Sequence, residues 1–252
     1  MFGNDRLMAS AGEYWWRPFC KTGNTAIIHV DLSPHAIREQ DALVWLDQKE
    51  QARWHRYRHP RSQREFGLCR AALRATLCSQ LGCNNDELAF DTSSYGKPFA
   101  LVSGTPAPIS FNVSHSGRHG LIAFAPEGRI GIDVEERATR HDLDGEIQTV
   151  FAPGERAELA SASGDQKAHL FFSLWTMKEA LIKALGVGFS LDISRFEIPP
   201  AMRHGVSTSI FRFPQIPEVG WWLENLGNAS FAAAIAYELD PDPGADAGRV
   251  YR

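Results

Sequence analysis

The stretch ISFNVSHSGRHGLIAFAPEGRIGIDVEE, residues 109–136, decides how the rest of the chain is interpreted. It contains three short runs rich in β-branched and apolar residues, which cover Ile109–Val113, Gly120–Phe124 and Arg129–Glu135. Glycine-containing turns separate the runs, and such turns typically join antiparallel neighbours. The stretch therefore predicts three strands in an antiparallel meander.

Helical patterns lie on both sides of this stretch. Before it, apolar residues recur at helical spacing over Arg61–Leu81. After it, the same spacing covers Gln166–Leu185, and Ser163 with Gln166 has the pattern of a capping box at the start of that helix. A glycine follows each pattern, as is usual where a helix ends.

The remaining predicted elements are shorter. Thr25–Leu32 alternates like a strand, and Asp41–Arg58 is helix-like until Pro60 interrupts it. Four strand-like runs follow the second long helix, at Ile193–Ile198, Ser207–Phe213, Gly220–Leu223 and Ser230–Tyr237.

A long helix with antiparallel strands thus occurs twice, which predicts an α+β protein of two similar halves. Each half would be a helix packed on a small antiparallel sheet. We expect the halves to cover residues 1–127 and 128–240, and we expect residues 241–252 to form a mobile tail because the end of the chain is rich in Pro, Gly and Asp.

Composition restricts the class of protein. With 252 residues, 44% hydrophobic and 22% charged, the chain has the composition of an ordinary globular protein. No apolar run approaches the roughly 18 residues of a membrane span, and the first residues do not resemble a secretion signal, so we expect a cytoplasmic protein without a membrane partner.

The charge is unevenly distributed along the chain. The net charge is −4, yet Arg53–Arg64 contains five arginines and two histidines without an acid.

Two carboxylates in the sequence GIDVEE suggest a metal site. In a strand, Asp133 and Glu135 would share one face because side chains alternate with a period of two. Oxygen ligands of this kind suit Mg²⁺. An exposed face of an edge strand explains the same pattern, so the segment alone leaves both interpretations open.

A second candidate is the helical stretch LWTMKEALIKAL, residues 174–185, in which Trp175, Glu179 and Lys183 recur every four residues. A simple ion pair between Glu179 and Lys183 would explain the spacing. The functional interpretation makes Glu179 a third metal ligand or general base and makes Lys183 a group that stabilises phosphate charge.

Three other features could bind an anion. Ser114 and His115 lie where a strand ends in a polar turn, and Lys97 lies in the turn-forming sequence YGKP. The basic cluster Arg53–Arg64 could contact nucleic acid, but no nucleic-acid motif accompanies it and the chain is acidic overall, so a small polyphosphate explains it as well.

Five motifs, taken in order, resemble one known family. They are YGKP (95–98), FNVSHSG (111–117), GIDVEE (131–136), FAPGERAEL (151–159) and LWTMKEALIKALGVG (174–188). Together they closely resemble the 4′-phosphopantetheinyl transferases, specifically the monomeric Sfp-like type. The resemblance covers roughly Arg53–Leu191.

This resemblance implies a pseudo-dimer with coenzyme A between its halves, and transfer of the phosphopantetheine arm to a serine of an apo acyl or peptidyl carrier protein, with release of 3′,5′-ADP. It implies a monomer that uses Mg²⁺. Mn²⁺ is an alternative because it also suits oxygen ligands, and the acidic net charge without a nucleic-acid motif leads us to expect no nucleic-acid partner. The metal ligands would be Asp133, Glu135 and Glu179.

The resemblance also implies roles in catalysis and coenzyme A binding. Glu179 and Lys183 would be catalytic, with Glu155 as a secondary candidate for proton transfer. The expected coenzyme A contacts are Arg53, Arg64, Lys97, Ser114, His115, Lys178 and Lys183, while Arg56 and Arg70 remain alternatives for the arginines. Two rival hypotheses are a nucleic-acid or acidic-protein binding module built on the basic cluster and a metal-dependent phosphohydrolase that uses the same acids.

Overall fold

The computed structural model describes residues 15–137, 143–186 and 192–239. The described strands are β1 Trp16–Thr22, β2 Thr25–Asp31, β3 Leu88–Thr92, β4 Pro98–Val102, β5 Thr105–Pro106, β6 Ser110–Ser116, β7 His119–Ala125, β8 Ile130–Glu136, β9 Thr208–Phe211, β10 Trp221–Asn225 and β11 Phe231–Glu238. The described helices are α1 Ala36–Trp45, α2 Gln48–Arg56, α3 Pro60–Leu81, α4 Asp144–Val150, α5 Pro153–Ser161, α6 Gly164–Leu185 and α7 Pro200–Arg203.

The first half of the chain forms a four-stranded antiparallel sheet in the order β1-β2-β7-β6, here called the N-terminal sheet. The 22-residue helix α3 packs on one face of it, where Leu68, Leu73 and Leu77 meet Ile122 and other buried side chains. Helix α3 ends at a glycine in the left-handed conformation, as its sequence predicts. The strands β3-β4-β5 form an additional small sheet.

The second half repeats this arrangement. Its sheet has the order β8-β11-β10-β9, here called the C-terminal sheet, and the 22-residue helix α6 packs on it. Contact between α6 and β8 is close because Gly131 has no side chain: a Cβ atom there would lie only 2.1 Å from the carbonyl oxygen of Ala180. The predicted α+β organisation, with one long helix on each of two antiparallel sheets, is confirmed.

The two sheets also pack against each other. Alternate residues of β7, Leu121 and Ala123, lie in a core with Ile130, Ile132 and Val134 of β8. The opposite faces of the same strands turn towards α3 and α6, as the period of two requires. The carboxylates of β8 therefore lie on the α6 side of their strand.

Strands β6 and β8 run side by side where the halves meet, and we call this line the seam. Each strand is the outer strand of its own sheet. The Asn112 Oδ1 atom accepts a hydrogen bond of 2.8 Å from the backbone N–H of Ile132, and Ser114 Oγ accepts one of 3.4 Å from that of Val134. Side chains of β6 thus accept hydrogen bonds from two backbone N–H groups on the open edge of β8.

Several predicted elements differ from the structure. The β6–β7 hairpin is confirmed, but β7 and β8 belong to different sheets, so the three-strand meander is wrong. The helix expected over Asp41–Arg58 is two helices, α1 and α2, because Asp47 begins a new helix by bonding the N–H of Glu50. Ile193–Ile198, predicted as a strand, contains a single 3₁₀ turn at Ile193–Arg195.

Two smaller expectations concern the start of α6 and the end of the chain. Ser163 precedes the first residue of α6, but its side chain makes no capping hydrogen bond within the described residues. The tail predicted at 241–252 lies outside the described residues. None of the helices in the described ranges combines the length and the apolar character that crossing a membrane would require.

Candidate active site

The centre of the candidate site is a three-residue contact across the seam. The Lys183 ammonium on α6 donates to Asp133 Oδ1 on β8 at 2.6 Å and to Ser114 Oγ on β6 at 3.0 Å. The Ser114 hydroxyl in turn donates to the same Asp133 oxygen at 2.8 Å. The Asp133 side chain is 5% exposed and that of Lys183 is 28% exposed, so the pair has a buried side and a side that opens to solvent.

Two further carboxylates lie close to this contact. Glu135, two residues after Asp133 on the same face of β8, accepts a 2.6 Å hydrogen bond at Oε2 from the Ser116 hydroxyl. Glu179, one helical turn before Lys183, is half-buried. Burial raises the pKa of Glu179, the charges of Asp133 and Glu135 raise it further, and Lys183 opposes the change. The three acids therefore share one electrostatic environment.

The chemistry of these groups fits a divalent cation. Asp133 Oδ2 is buried and has no hydrogen-bond partner among the described residues, although its neighbour Oδ1 has two. Over residues 15–137, 143–186 and 192–239, no three Asp, Glu, His or Cys side chains are already gathered closely enough to hold a metal. Mg²⁺ commonly takes only one or two protein carboxylates and completes its shell with water and phosphate oxygens. An unpartnered carboxylate oxygen beside two further acids meets that requirement.

His115 connects the seam to helix α3. Its Nδ1 atom lies 3.7 Å from Glu65 Oε2, and Glu65 also pairs with Arg61 at 2.7 Å. Burial lowers the pKa of His115; Glu65 opposes this change, and the nearby Lys183 charge lowers the pKa further. The N-terminal half thus places an imidazole and an arginine beside the acids of the C-terminal half.

The candidate arginines fall into two groups. Arg53 is exposed and its guanidinium lies over the Phe66 ring at 4.9 Å, while Arg56 is also exposed. Arg64 Nε donates to the carbonyl of Leu32 at 2.9 Å, so its guanidinium is partly engaged. Arg70 is occupied within the protein: it pairs with Glu50 and lies over the Phe90 ring. The structure thus leaves Arg53 and Arg56 exposed, whereas Arg64 and Arg70 are both partly buried.

Lys97 contacts the backbone at the start of β8 and at the C-terminal end of α6. Its ammonium donates to the carbonyl oxygens of Ile130 at 2.7 Å, Lys183 at 2.8 Å and Ala184 at 3.4 Å. Burial, followed by the charge of Arg129, lowers the pKa of Lys97 to about 8. The structure therefore places the Lys97 ammonium on backbone carbonyls.

Glu155 and Lys178 form a separate pair in the interior. Their charged groups are 2.8 Å apart and both side chains are 0% exposed. Lys178 also donates to the carbonyls of Ile193 and Phe196, and Glu155 accepts from the N–H of Ile198. The structure does not bring this pair together with Asp133, although Lys178 and Glu179 are neighbours in sequence.

Two family models match the chain, and their descriptions agree. The model described as "4′-phosphopantetheinyl transferase, N-terminal" matches residues 33–127. The model described as "4′-phosphopantetheinyl transferase superfamily" matches residues 129–236. The chain belongs to the 4′-phosphopantetheinyl transferase superfamily. The resemblance of the five motifs to this family is thereby confirmed.

Individual phosphopantetheinyl transferases show the same similarity. A putative 4′-phosphopantetheinyl transferase from Synechocystis sp. is 39% identical over 145 residues, covering 58% of this chain and 58% of the relative. The transferase HetI from Nostoc sp. is 36% identical, covering 60% and 64%. Sfp from Bacillus subtilis is 29% identical, covering 62% and 67%. The chain therefore aligns with less than two thirds of the length of the first two relatives.

Three residues of the candidate site were not predicted from the sequence. Asn112 and Ser116 share the face of β6 that carries Ser114, so the alternation in FNVSHS could have revealed them. Glu65 could not have been found in this way, because only the packing of α3 beside β6 brings it to His115.

Proposed function

We propose that this protein transfers the 4′-phosphopantetheine group of coenzyme A to a serine of an apo acyl or peptidyl carrier protein. A bond forms between the serine oxygen and the phosphorus next to the pantetheine. The bond from that phosphorus to the bridging oxygen breaks, and 3′,5′-ADP leaves. The observation that carries the proposal is the contact of Ser114, Asp133 and Lys183 across the seam, with Glu135 and Glu179 beside it.

The proposed chemistry follows from the charges at the seam. The Lys183 ammonium is only partly buried, so it can face a pyrophosphate while it stays anchored to Asp133. Glu179 accepts the proton of the incoming serine, directly or through a water molecule.

Asp133, Glu135 and Glu179 would hold the metal ion, Mg²⁺ or alternatively Mn²⁺, because both suit oxygen ligands. When bound, such an ion supplies positive charge that neutralises phosphate oxygens. The unpartnered Asp133 Oδ2 atom supports this assignment. The hydrogen bond from Ser116 already fixes the orientation of Glu135.

The remaining contacts proposed for coenzyme A come from the N-terminal half. Ser114 and His115 lie at the seam. Arg53 lies on α2, and Arg64 lies on α3 directly before Glu65, the partner of His115. Because each half supplies part of the site, one chain contains all the proposed groups. We therefore propose a monomer, and we place it in the cytoplasm.

The test is intact-mass spectrometry of an apo carrier protein incubated with this protein, coenzyme A and Mg²⁺, with and without a chelator. The expected result is a gain of one phosphopantetheine mass that is lost with the chelator and in Glu179→Ala. Glu127→Ala is the matched control, since Glu127 is exposed in the turn between β7 and β8. Carriers from fatty-acid, polyketide and nonribosomal-peptide pathways should all be tried.

Two outcomes would contradict the proposal. Release of 3′,5′-ADP without a carrier protein, and without any gain in carrier mass, would favour the phosphohydrolase. Salt-dependent binding of nucleic acid that survives Asp133→Ala, together with no transfer to any carrier, would favour a binding module.

A further inference from the structure

Lys97 joins the two elements that carry the candidate metal ligands. Its ammonium reaches the carbonyl of Ile130, the first residue of β8, and those of Lys183 and Ala184 in the last turn of α6. Strand β8 bears Asp133 and Glu135, and α6 bears Glu179. One side chain from the N-terminal half therefore contacts both elements of the C-terminal half that form the acidic site.

The hydrogen-bonding capacity of Lys97 is fully used by these contacts. An ammonium has three N–H donors, and the structure gives it three carbonyl acceptors. Carbonyls in the last turn of a helix lack partners within the helix, and a cation there is also favoured by the helix dipole. A phosphate bound to Lys97 would have to replace at least one of these bonds.

The surroundings of Lys97 show that the contact is built into the fold. A Cβ atom added at Gly186 would lie 3.4 Å from Lys97 Cδ, so the aliphatic stem packs on the end of α6. Gly131, next to Ile130, contacts the backbone of α6 so closely that only glycine fits. The distance between β8 and α6 is thus set at the point where Lys97 holds them.

We propose that Lys97 is a positioning residue, which holds β8 and α6 in the relative position that the acids need, and not a phosphate ligand of coenzyme A. The inference rests in part on the proposed function, because the acids are taken as metal ligands. Lys97 acts through Lys183, whose backbone it holds and whose ammonium pairs with Asp133.

The test compares Lys97→Met with two control variants. Lys21→Met removes an exposed lysine on β1, and Leu77→Ala removes a buried side chain of α3 that lies outside the seam. Without coenzyme A, we expect Lys97→Met to lower the melting temperature by roughly 5 °C or more, since several hydrogen bonds from a charged donor are lost. Lys21→Met should melt like the wild type.

Two further measurements separate positioning from phosphate binding and from a general loss of stability. Calorimetric affinities for coenzyme A and for 3′-dephospho-coenzyme A should keep the wild-type ratio in Lys97→Met. Two Mg²⁺ concentrations should each increase about tenfold: the one that gives half-maximal transfer, and the one that gives half of the maximal rise in melting temperature. Losses of this size are typical when a residue that supports a metal ligand is removed. Leu77→Ala should lower the melting temperature without changing either Mg²⁺ concentration.

Three results would overturn the inference. Loss of affinity for coenzyme A alone, with an unchanged melting temperature, would make Lys97 a ligand of the 3′-phosphate. A lower melting temperature with unchanged Mg²⁺ dependence would show that Lys97 contributes to stability only. Wild-type behaviour in every measurement would show that Lys97 has neither role. If the wild-type protein transfers nothing, the proposed function fails, but the melting and Mg²⁺-stabilisation measurements still test Lys97.

Discussion

The Lys183 ammonium lies 2.6 Å from Asp133 Oδ1, and this contact joins the long helix of the C-terminal half to the outer strand of its sheet. Ser114, from the N-terminal half, bonds both partners. Hydrogen bonds to charged groups are the stronger ones, and they are stronger still where solvent is partly excluded. The candidate site therefore depends on the packing of the two halves as well as on its own residues.

Replacing Lys183 with methionine should affect both activity and stability. Asp133 is 5% exposed, so the variant leaves a buried carboxylate with Ser114 as its partner at Oδ1. We expect transfer to fall at least ~100-fold and the melting temperature to fall. Lys167→Met is the matched control, because Lys167 is 27% exposed on the same helix but pairs with Asp144.

A double variant separates the two effects of Lys183. Asp133→Asn/Lys183→Met contains neither charge, so it should regain much of the lost melting temperature while remaining inactive. Single-turnover transfer assays and thermal melting measure these outcomes. Transfer at the wild-type rate by Lys183→Met would contradict the proposed role of the ammonium.

Replacing Ser116 with alanine should weaken metal binding with little effect on stability. The variant removes the 2.6 Å hydrogen bond that orients Glu135. We expect the Mg²⁺ concentration for half-maximal activity to rise about tenfold. Ser110→Ala, on the same strand, is the control. An unchanged Mg²⁺ titration for Ser116→Ala would argue against Glu135 as a metal ligand.

The sequence predicts those parts of the fold that depend on local pattern. Helices α3 and α6 follow from apolar spacing and terminal glycines, and the β6–β7 hairpin follows from alternation around a glycine turn. Strands β1 and β3 have mixed or mostly exposed side chains, so they lack the apolar alternation that would have predicted them. Strand pairing depends on tertiary packing. The predicted pairing of β7 with β8 was wrong for this reason, because the two strands belong to different sheets.

The same limit applies to the candidate site. Glu179 and Lys178 are adjacent on α6, and the sequence makes both of them plausible site residues. Their directions differ by about 100° around the helix axis, so only one of them can face the seam. The carbonyls of Ile193 and Phe196 that receive Lys178 come from a segment predicted as a strand, so the sequence did not indicate that this lysine is buried.

The buried pair of Glu155 and Lys178 should be important for stability but not for chemistry. Lys178→Met leaves Glu155 as an unpaired charge in a fully buried position, which we expect to cost about 3–5 kcal/mol of unfolding free energy. The double variant Glu155→Gln/Lys178→Met contains neither charge and should recover much of this loss. Urea denaturation measures both.

The activity of that double variant tests the assignment. Transfer per folded molecule should be close to the wild-type rate, because neither charged group is exposed. A stable but inactive double variant would contradict this expectation and would return Glu155 to the list of candidate proton-transfer groups.

Acid should destabilise the protein through His29. This side chain is 9% exposed, and its Nε2 atom lies 3.0 Å from His119 Nδ1. Burial, followed by the nearby His119 and Arg17, lowers the pKa of His29 from 6.5 to about 4. Between these pH values the unfolded chain binds more protons than the folded protein, so stability falls as the pH falls.

The size of this effect can be measured by urea denaturation between pH 7.5 and 4.5. After allowance for solvent screening, we expect His29 to account for about 1 kcal/mol of lost unfolding free energy between pH 6.5 and 5. His29→Gln should lose less stability over this range than the wild type, while His55→Gln, at an exposed position on α2, should follow the wild type. Parallel curves for the wild type and His29→Gln would show that other groups cause the acid sensitivity.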